Sequence, residues 1–156
     1  MVSVDITAPM YWWSEADTYK IGTVANSTSK MHKVTSKPIT IDSFEHDDYN
    51  SLISESIGMP QGEKAIIDYC EVLRQVYLST KDKKYWKELI RFLPESWLQK
   101  RTITMNYENL YGMYHQRKNH KLNEWSGMDD PANANFIAWV KSLPYSEEFI
   151  WNVDIS

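Results

Sequence analysis

The chain has 156 residues, with 17 Lys and Arg against 21 Asp and Glu (formal charge −4), and is 42% apolar and 24% charged. At about 100–200 residues per domain this is the length of one domain, able to bury roughly two-thirds of its unfolded surface. The acidic balance excludes bulk coating of nucleic acid, which needs a basic face. No apolar run approaches the ~18 residues of a membrane span, and MVSVDITAPM lacks the basic-then-apolar layout of a leader, so the expected location is cytoplasmic.

Cys70, the single cysteine, excludes an internal disulfide and a thiolate-rich zinc site. Seven Trp and ten Tyr call for an ordered core.

Residues 2–8 alternate Val, Val and Ile with Ser, Asp and Thr, the pattern of a half-buried strand, and Pro9 closes it. From Met10 to Lys20 the spacing of Tyr11, Trp12, Trp13, Ala16 and Tyr19 predicts a helix. Gly22 to Ser36 is dominated by small and hydroxyl residues, a polar loop leading into a strand. Residues 37–60 hold a short apolar alternation (Ile39, Ile41, Phe44), the acidic group Glu45-His46-Asp47-Asp48 and a Gly58/Pro60 break.

Helical periodicity covers about 62–79, where Cys70 falls on the apolar side as a small buried hydrophobe, and 82–92, with Tyr85, Trp86, Leu89, Ile90 and Leu93 on one side up to Pro94. Arg101 to Met105 reads as a strand, Asn106 as the N-cap of a helix through Leu110, Met113 and Tyr114, and RKNHKLNEW as its polar end. Asp130 before Pro131 is the pattern of a cap and first-turn proline opening a helix through Phe136, Ile137 and Val140, and Ser146 precedes two acids as the cap of a final turn. The fold class expected is mixed α/β (α+β), a small sheet packed with several helices in one domain.

Dispersed glycines, five in all, exclude a P-loop or a dinucleotide fingerprint, so any phosphate must be held by side chains or helix termini. The acidic group 45–48 reads as a solvated loop, with a hard-cation site as the alternative. Asn26-Ser27-Thr28-Ser29-Lys30-Met31-His32 strings together short donors and acceptors that can wrap an anion or a heterocycle. Arg117 and Lys121 stand one helical turn apart with Lys118 beside them, an arrangement that can converge on a phosphate or simply form a solvated basic face.

Together these segments resemble the flavin-dependent thymidylate synthases, the ThyX family. Ile90-Arg91-Phe92-Leu93-Pro94, then Thr104-Met105-Asn106, Leu110, Arg117 and Asn123-Glu124 follow the order of that family's second half, without a gap from Pro94 to Arg117. In the first half, strand 2–8, Pro9, Tyr11-Trp12-Trp13 and the Asn26/Ser29 pair take the corresponding places. The family's Arg-His-Arg signature is missing: either register around 18–21 leaves only Lys20 as a cation, and Met31 and Glu108 stand where the family has Arg.

The resemblance implies a ThyX-like fold, a homotetramer, and flavin and nucleotide held at subunit junctions. Carried over by position, Asn106 faces the flavin, Arg117 and Arg91 the nucleotide's phosphate or base, and Ser29 lies near that phosphate. The polar loop and the basic run add Lys20, Asn26, Ser27 and Lys121 as candidates for the nucleotide and His32 and His120 for the cofactor. Two or three lost Arg contacts, at about 1.5–3 kcal/mol for each charged hydrogen bond, argue against retained catalysis. The leading expectation is therefore a non-catalytic binder of a nucleotide-like ligand, and similarity to small bacteriophage proteins makes sequestration of a nucleotide signal one form of it. The alternatives are an active FAD-dependent enzyme methylating a pyrimidine deoxynucleotide, and a structural or protein-interaction module.

Overall fold

A computed structural model of the chain describes residues 1–19, 24–25, 33–47, 56–58 and 62–153. The chain is mixed α/β. Its contacts separate it into two compact units: residues 1–6, 14–26 and 101–156 form the first, and 7–13 and 27–100 the second. Among the described residues the chain passes from one to the other inside regular elements, at Ile6–Thr7, Trp13–Ser14 and Lys100–Arg101.

The sheet has the order β1-β3-β2, with β1 at Val2–Pro9, β2 at Val24–Ala25 and β3 at Leu98–Met105. β2 runs antiparallel to the central β3, Val24 opposite Ile103 and Ala25 opposite Thr102. Ser3 and Thr104 join hydroxyls at 2.8 Å, and the Thr102 hydroxyl donates to Asp5. These two side-chain bonds advance in opposite directions along the two chains, as antiparallel pairing requires. β1 alternates in exposure from Val2 to Thr7, so the sequence period of two is realised.

In the first unit α1 (Met10–Ala16) contributes its last residues, and α4 (Tyr107–Arg117) crosses a core of Ile103, Met105, Leu110, Met113, Trp125, Phe136, Val140 and Ile150, each at most 4% exposed. Asn106 caps α4: its side chain accepts from Asn109 N at 2.8 Å, and the Asn109 side chain accepts from Asn106 N at 3.2 Å. The short α5 (Asn123–Ser126) ends at Gly127, whose φ of 67° is left-handed.

α6 covers Phe136–Lys141, and its cap is Asn135, which accepts from Ala138 N at 2.8 Å. The expected start at Asp130-Pro131 is thereby corrected. Asp130 folds a turn of its own, accepting from Ala132 N at 3.2 Å and from the Asn133 amide at 2.9 Å, and Asn135, in extended backbone, takes the capping role three residues before Ala138. The last turn, Glu147–Trp151, is a π-turn. Ser146 precedes it but does not cap it: its hydroxyl donates to Lys141 O at 3.1 Å and accepts from the Trp151 indole at 3.3 Å.

The second unit is built on α2 (Gly62–Thr80) and α3 (Lys83–Phe92), packed against each other. α2 ends because Lys81 turns left-handed (φ 57°), and Asp82 restarts the chain by capping α3 at Lys84 N, 3.0 Å. The core joins Met10, Val34, Ile39, Phe44, Ile67, Cys70, Leu73, Leu89 and Leu93, with Tyr85, Trp86, Ile90 and Trp97 packed against it. All five apolar residues expected on one side of the second helical segment point into this cluster. Cys70 is fully buried and burial pushes its thiol up to about 11, so it acts as a small hydrophobe and not as a nucleophile.

A loop is tied to this core by one carboxylate. Glu71 accepts Ile39 N at 2.7 Å, Arg74 Nε and Nη2 at 2.8 and 2.7 Å, and the Gln75 amide at 3.1 Å, and Arg74 Nη1 donates to Thr35 O at 3.4 Å. The Arg74 hydrogen bonds, with help from Ile39 N and Gln75 and against burial, hold the Glu71 carboxyl down at about 2. Within the short apolar alternation of Ile39, Ile41 and Phe44, residues 41–43 form a 3-10 turn, and Phe44 bridges to Trp97.

No helix among the described residues is long and apolar enough to cross a membrane.

Candidate functional site

At the end of α4 in the first unit, Arg117 reaches across to residues about 100 positions earlier in the chain. Its Nη1 donates to Glu15 Oε2 and its Nε to the Tyr19 hydroxyl at 2.8 Å, and that hydroxyl donates onward to Gln116 Oε1 at 2.8 Å. The guanidinium carbon lies 4.8 Å from the Trp125 ring centre and 5.4 Å from that of Tyr19, so two aromatic faces flank a delocalised cation. The side chain is 17% exposed. Among the described residues, Nη2 has no partner.

His120 completes the group. Its Nδ1 accepts from Leu122 N at 3.0 Å, which leaves Nε2 to carry the proton and to donate to Glu15 Oε2, 3.0 Å away. A single carboxylate oxygen thus receives both the guanidinium and the imidazole. Ser126 hydroxyl, donating to His120 O at 2.7 Å, and the ring of Trp125, 6.3 Å from that of His120, hold this turn in place.

The helical face expected to unite Arg117 with Lys121 does not form. α4 stops at Arg117, Lys118 is its C-cap, and His120 N turns back to Arg117 O at 3.0 Å. The run RKNHK has no apolar residue to dock a further turn on the core, so the chain bends instead. Lys118 and Lys121 are exposed on the bend that follows Arg117, next to it in sequence but not along one helical stripe.

The other predicted positions separate. Lys20, Asn26, Ser27, Ser29 and His32 lie outside the described residues. Asn106 uses its oxygen as a helix cap. Arg91 belongs to the second unit, where it pairs with Glu88 one turn back. Arg101, on β3, bridges to Asp17 at 2.9 Å.

Of the acidic group, Glu45 accepts Asp47 N at 2.9 Å, a local bond that shapes the loop, and the Tyr11 hydroxyl at 3.3 Å, which ties the loop to α1. His46 has a raised pKa, mainly from the Phe44 carbonyl on its Nδ1 and also from Asp42, Asp47 and Glu45, with burial opposing. No group of His, Cys, Asp and Glu among the described residues is arranged to hold a metal ion.

Sequence reasoning singled out Arg117, Lys121 and His120 but not Glu15, Tyr19, Gln116 or Trp125. The available signal was weak: Glu15 and Tyr19 sit four residues apart on an aromatic-rich segment, and Trp125 lies in a run that reads as polar. Compared with known proteins, the chain matches no family model, no curated protein and no solved structure.

Proposed function

We propose that the protein binds a nucleotide-like ligand without transforming it, using the group around Arg117. One observation carries this reading: Arg117 is held rigidly between Tyr19 and Trp125, with Nε and Nη1 engaged and Nη2 without a partner among the described residues. A guanidinium fixed in this way donates to a phosphate oxygen with little ordering cost, because its rotamer is already set.

Lys118 and Lys121, exposed on the adjoining bend, add charge for the same anion. The ThyX resemblance supports the same ligand class, since it places Arg117 on the nucleotide, and the missing Arg-His-Arg triplet supports binding without turnover. A homo-oligomer and a flavin belong to this reading only as far as the resemblance goes.

Titration of the native protein with deoxyuridylate, other mononucleotides, cyclic dinucleotides and FAD, read by Trp fluorescence and calorimetry, tests it. Binding of at least one nucleotide tighter than about 1 mM is expected, with Arg117→Lys weakening it about tenfold or more, because a point charge replaces a fork. No nucleotide bound at that level sinks the proposal. A yellow preparation that transfers hydride to a pyrimidine nucleotide would replace it with the flavoenzyme.

A further inference from the structure

Among the described residues, the polar groups joined to Arg117 sum to no net charge. Arg117 brings one positive charge and Glu15 one negative charge, linked through Nη1 and Oε2. His120 adds none, because its Nδ1 accepts from Leu122 N and only Nε2 carries a proton. Tyr19 and Gln116 contribute neutral dipoles. What Nη2 offers an incoming anion is therefore a directed hydrogen bond from a cation whose charge is already compensated.

Nη1 and Nη2 branch from one carbon, so an anion on Nη2 is a close neighbour of the carboxylate that holds Nη1. Charge on the ligand feels Arg117 and Glu15 with opposite sign, and the two effects largely cancel. Hydration does not cancel. A second negative charge on the phosphate raises the cost of leaving water faster than it raises the attraction, and a ligand seated on Arg117, 17% exposed, gives up part of its water shell.

Lys118 and Lys121 attract either charge state, but from water, where salt screens them. A phosphodiester carries one negative charge, whereas a terminal phosphate carries close to two.

We infer that Glu15 sets the charge of the ligand, so that the seat at Arg117 takes a nucleotide through a singly charged phosphodiester in preference to a doubly charged terminal phosphate. This rests on Arg117 binding a nucleotide and narrows which phosphate it meets.

Matched ligands test it: deoxynucleoside monophosphates of all four bases and their phosphate methyl esters, which share base, sugar and attachment point and differ by one charge at about pH 8. Titrated by calorimetry into the native protein in physiological salt, at least one ester should bind tighter than about 1 mM and about threefold or more tighter than its own monoester. Glu15→Gln keeps an oxygen for Arg117 and His120 and removes the charge. Coulomb energy scales with ligand charge, so a variant that tightens the ester about threefold should tighten the monoester about tenfold and erase the preference.

A monoester that binds the native protein as tightly as its ester overturns the inference, with or without a folded variant. So does a Glu15→Gln protein that shifts both ligands by one factor, the result of a merely structural role. In either case nucleotide binding itself stands, whereas no binding by any monoester or ester removes the nucleotide reading and the charge preference with it.

Discussion

Each unit contains a partly buried pair of arginine and glutamate, and the two pairs are built for different ends. In the second unit all three guanidinium nitrogens of Arg74 have partners, and Glu71 accepts from four donors, so no nitrogen of the guanidinium stands unengaged. In the first unit Glu15 takes Arg117 and His120 on one oxygen, and Arg117 keeps Nη2 in reserve beside two aromatic rings. The difference teaches that burial and ion pairing do not by themselves mark a site. An incomplete set of partners around a group held still by its neighbours is the better sign.

The largest expected effect falls on the saturated pair. Glu71→Ala leaves Arg74, 9% exposed, without its counter-charge and frees the loop at Ile39, and should cost about 3–5 kcal/mol in urea unfolding. Glu15→Ala should cost less, about 1–2 kcal/mol, because Glu15 is 31% exposed and Arg117 retains Tyr19 and the rings. Equal costs would erase the distinction drawn between the pairs.

Acid provides a second contrast. The Glu71 carboxyl is held below its ordinary 4.5, at about 2 in the folded state, so its stabilisation is complete above about pH 4.5 and is lost as pH falls toward 2. Glu71→Gln should flatten the stability profile in that window, and an unchanged profile would remove the pair from the account of acid unfolding.

Smaller effects sharpen the site. Lys118→Ala and Lys121→Ala should each weaken nucleotide binding by about three- to tenfold, through loss of phosphate attraction, while leaving the urea midpoint unchanged. The least effect is expected of Lys64→Ala, which breaks an exposed bridge to Asp68 and should change stability by under about 0.5 kcal/mol.

What could be read along the chain was whatever repeats locally. The alternation of β1, the long periodic segments of α2 and α3, the strand ending at Met105 and the Asn106 cap all depend on neighbours within a few residues, and all are present. Competition among similar local signals defeated the reading at α6, where Asp130, Asn133 and Asn135 can all cap and the last does. Four residues, too few for periodicity to declare, form α5, yet it buries Trp125 completely.

The site was half legible. Arg117 stood out as a cation at a helix end, whereas its partner Glu15 is 102 positions away, and only the folded chain joins them. That pairing also changes what Arg117 means: a nitrogen pointed at a carboxylate is not available to a phosphate, and the reading survives through the nitrogen that remains.

Gly127 has a consequence for how this sequence can drift. It adopts a left-handed backbone, and a methyl group there would come within 2.3 Å of the Asn135 amide, the same side chain that starts α6. The smallest possible change, one carbon, would therefore unseat a helix start eight positions downstream, so selection for an intact fold alone should hold both residues fixed together while the lysines around Arg117 remain free to vary with the ligand.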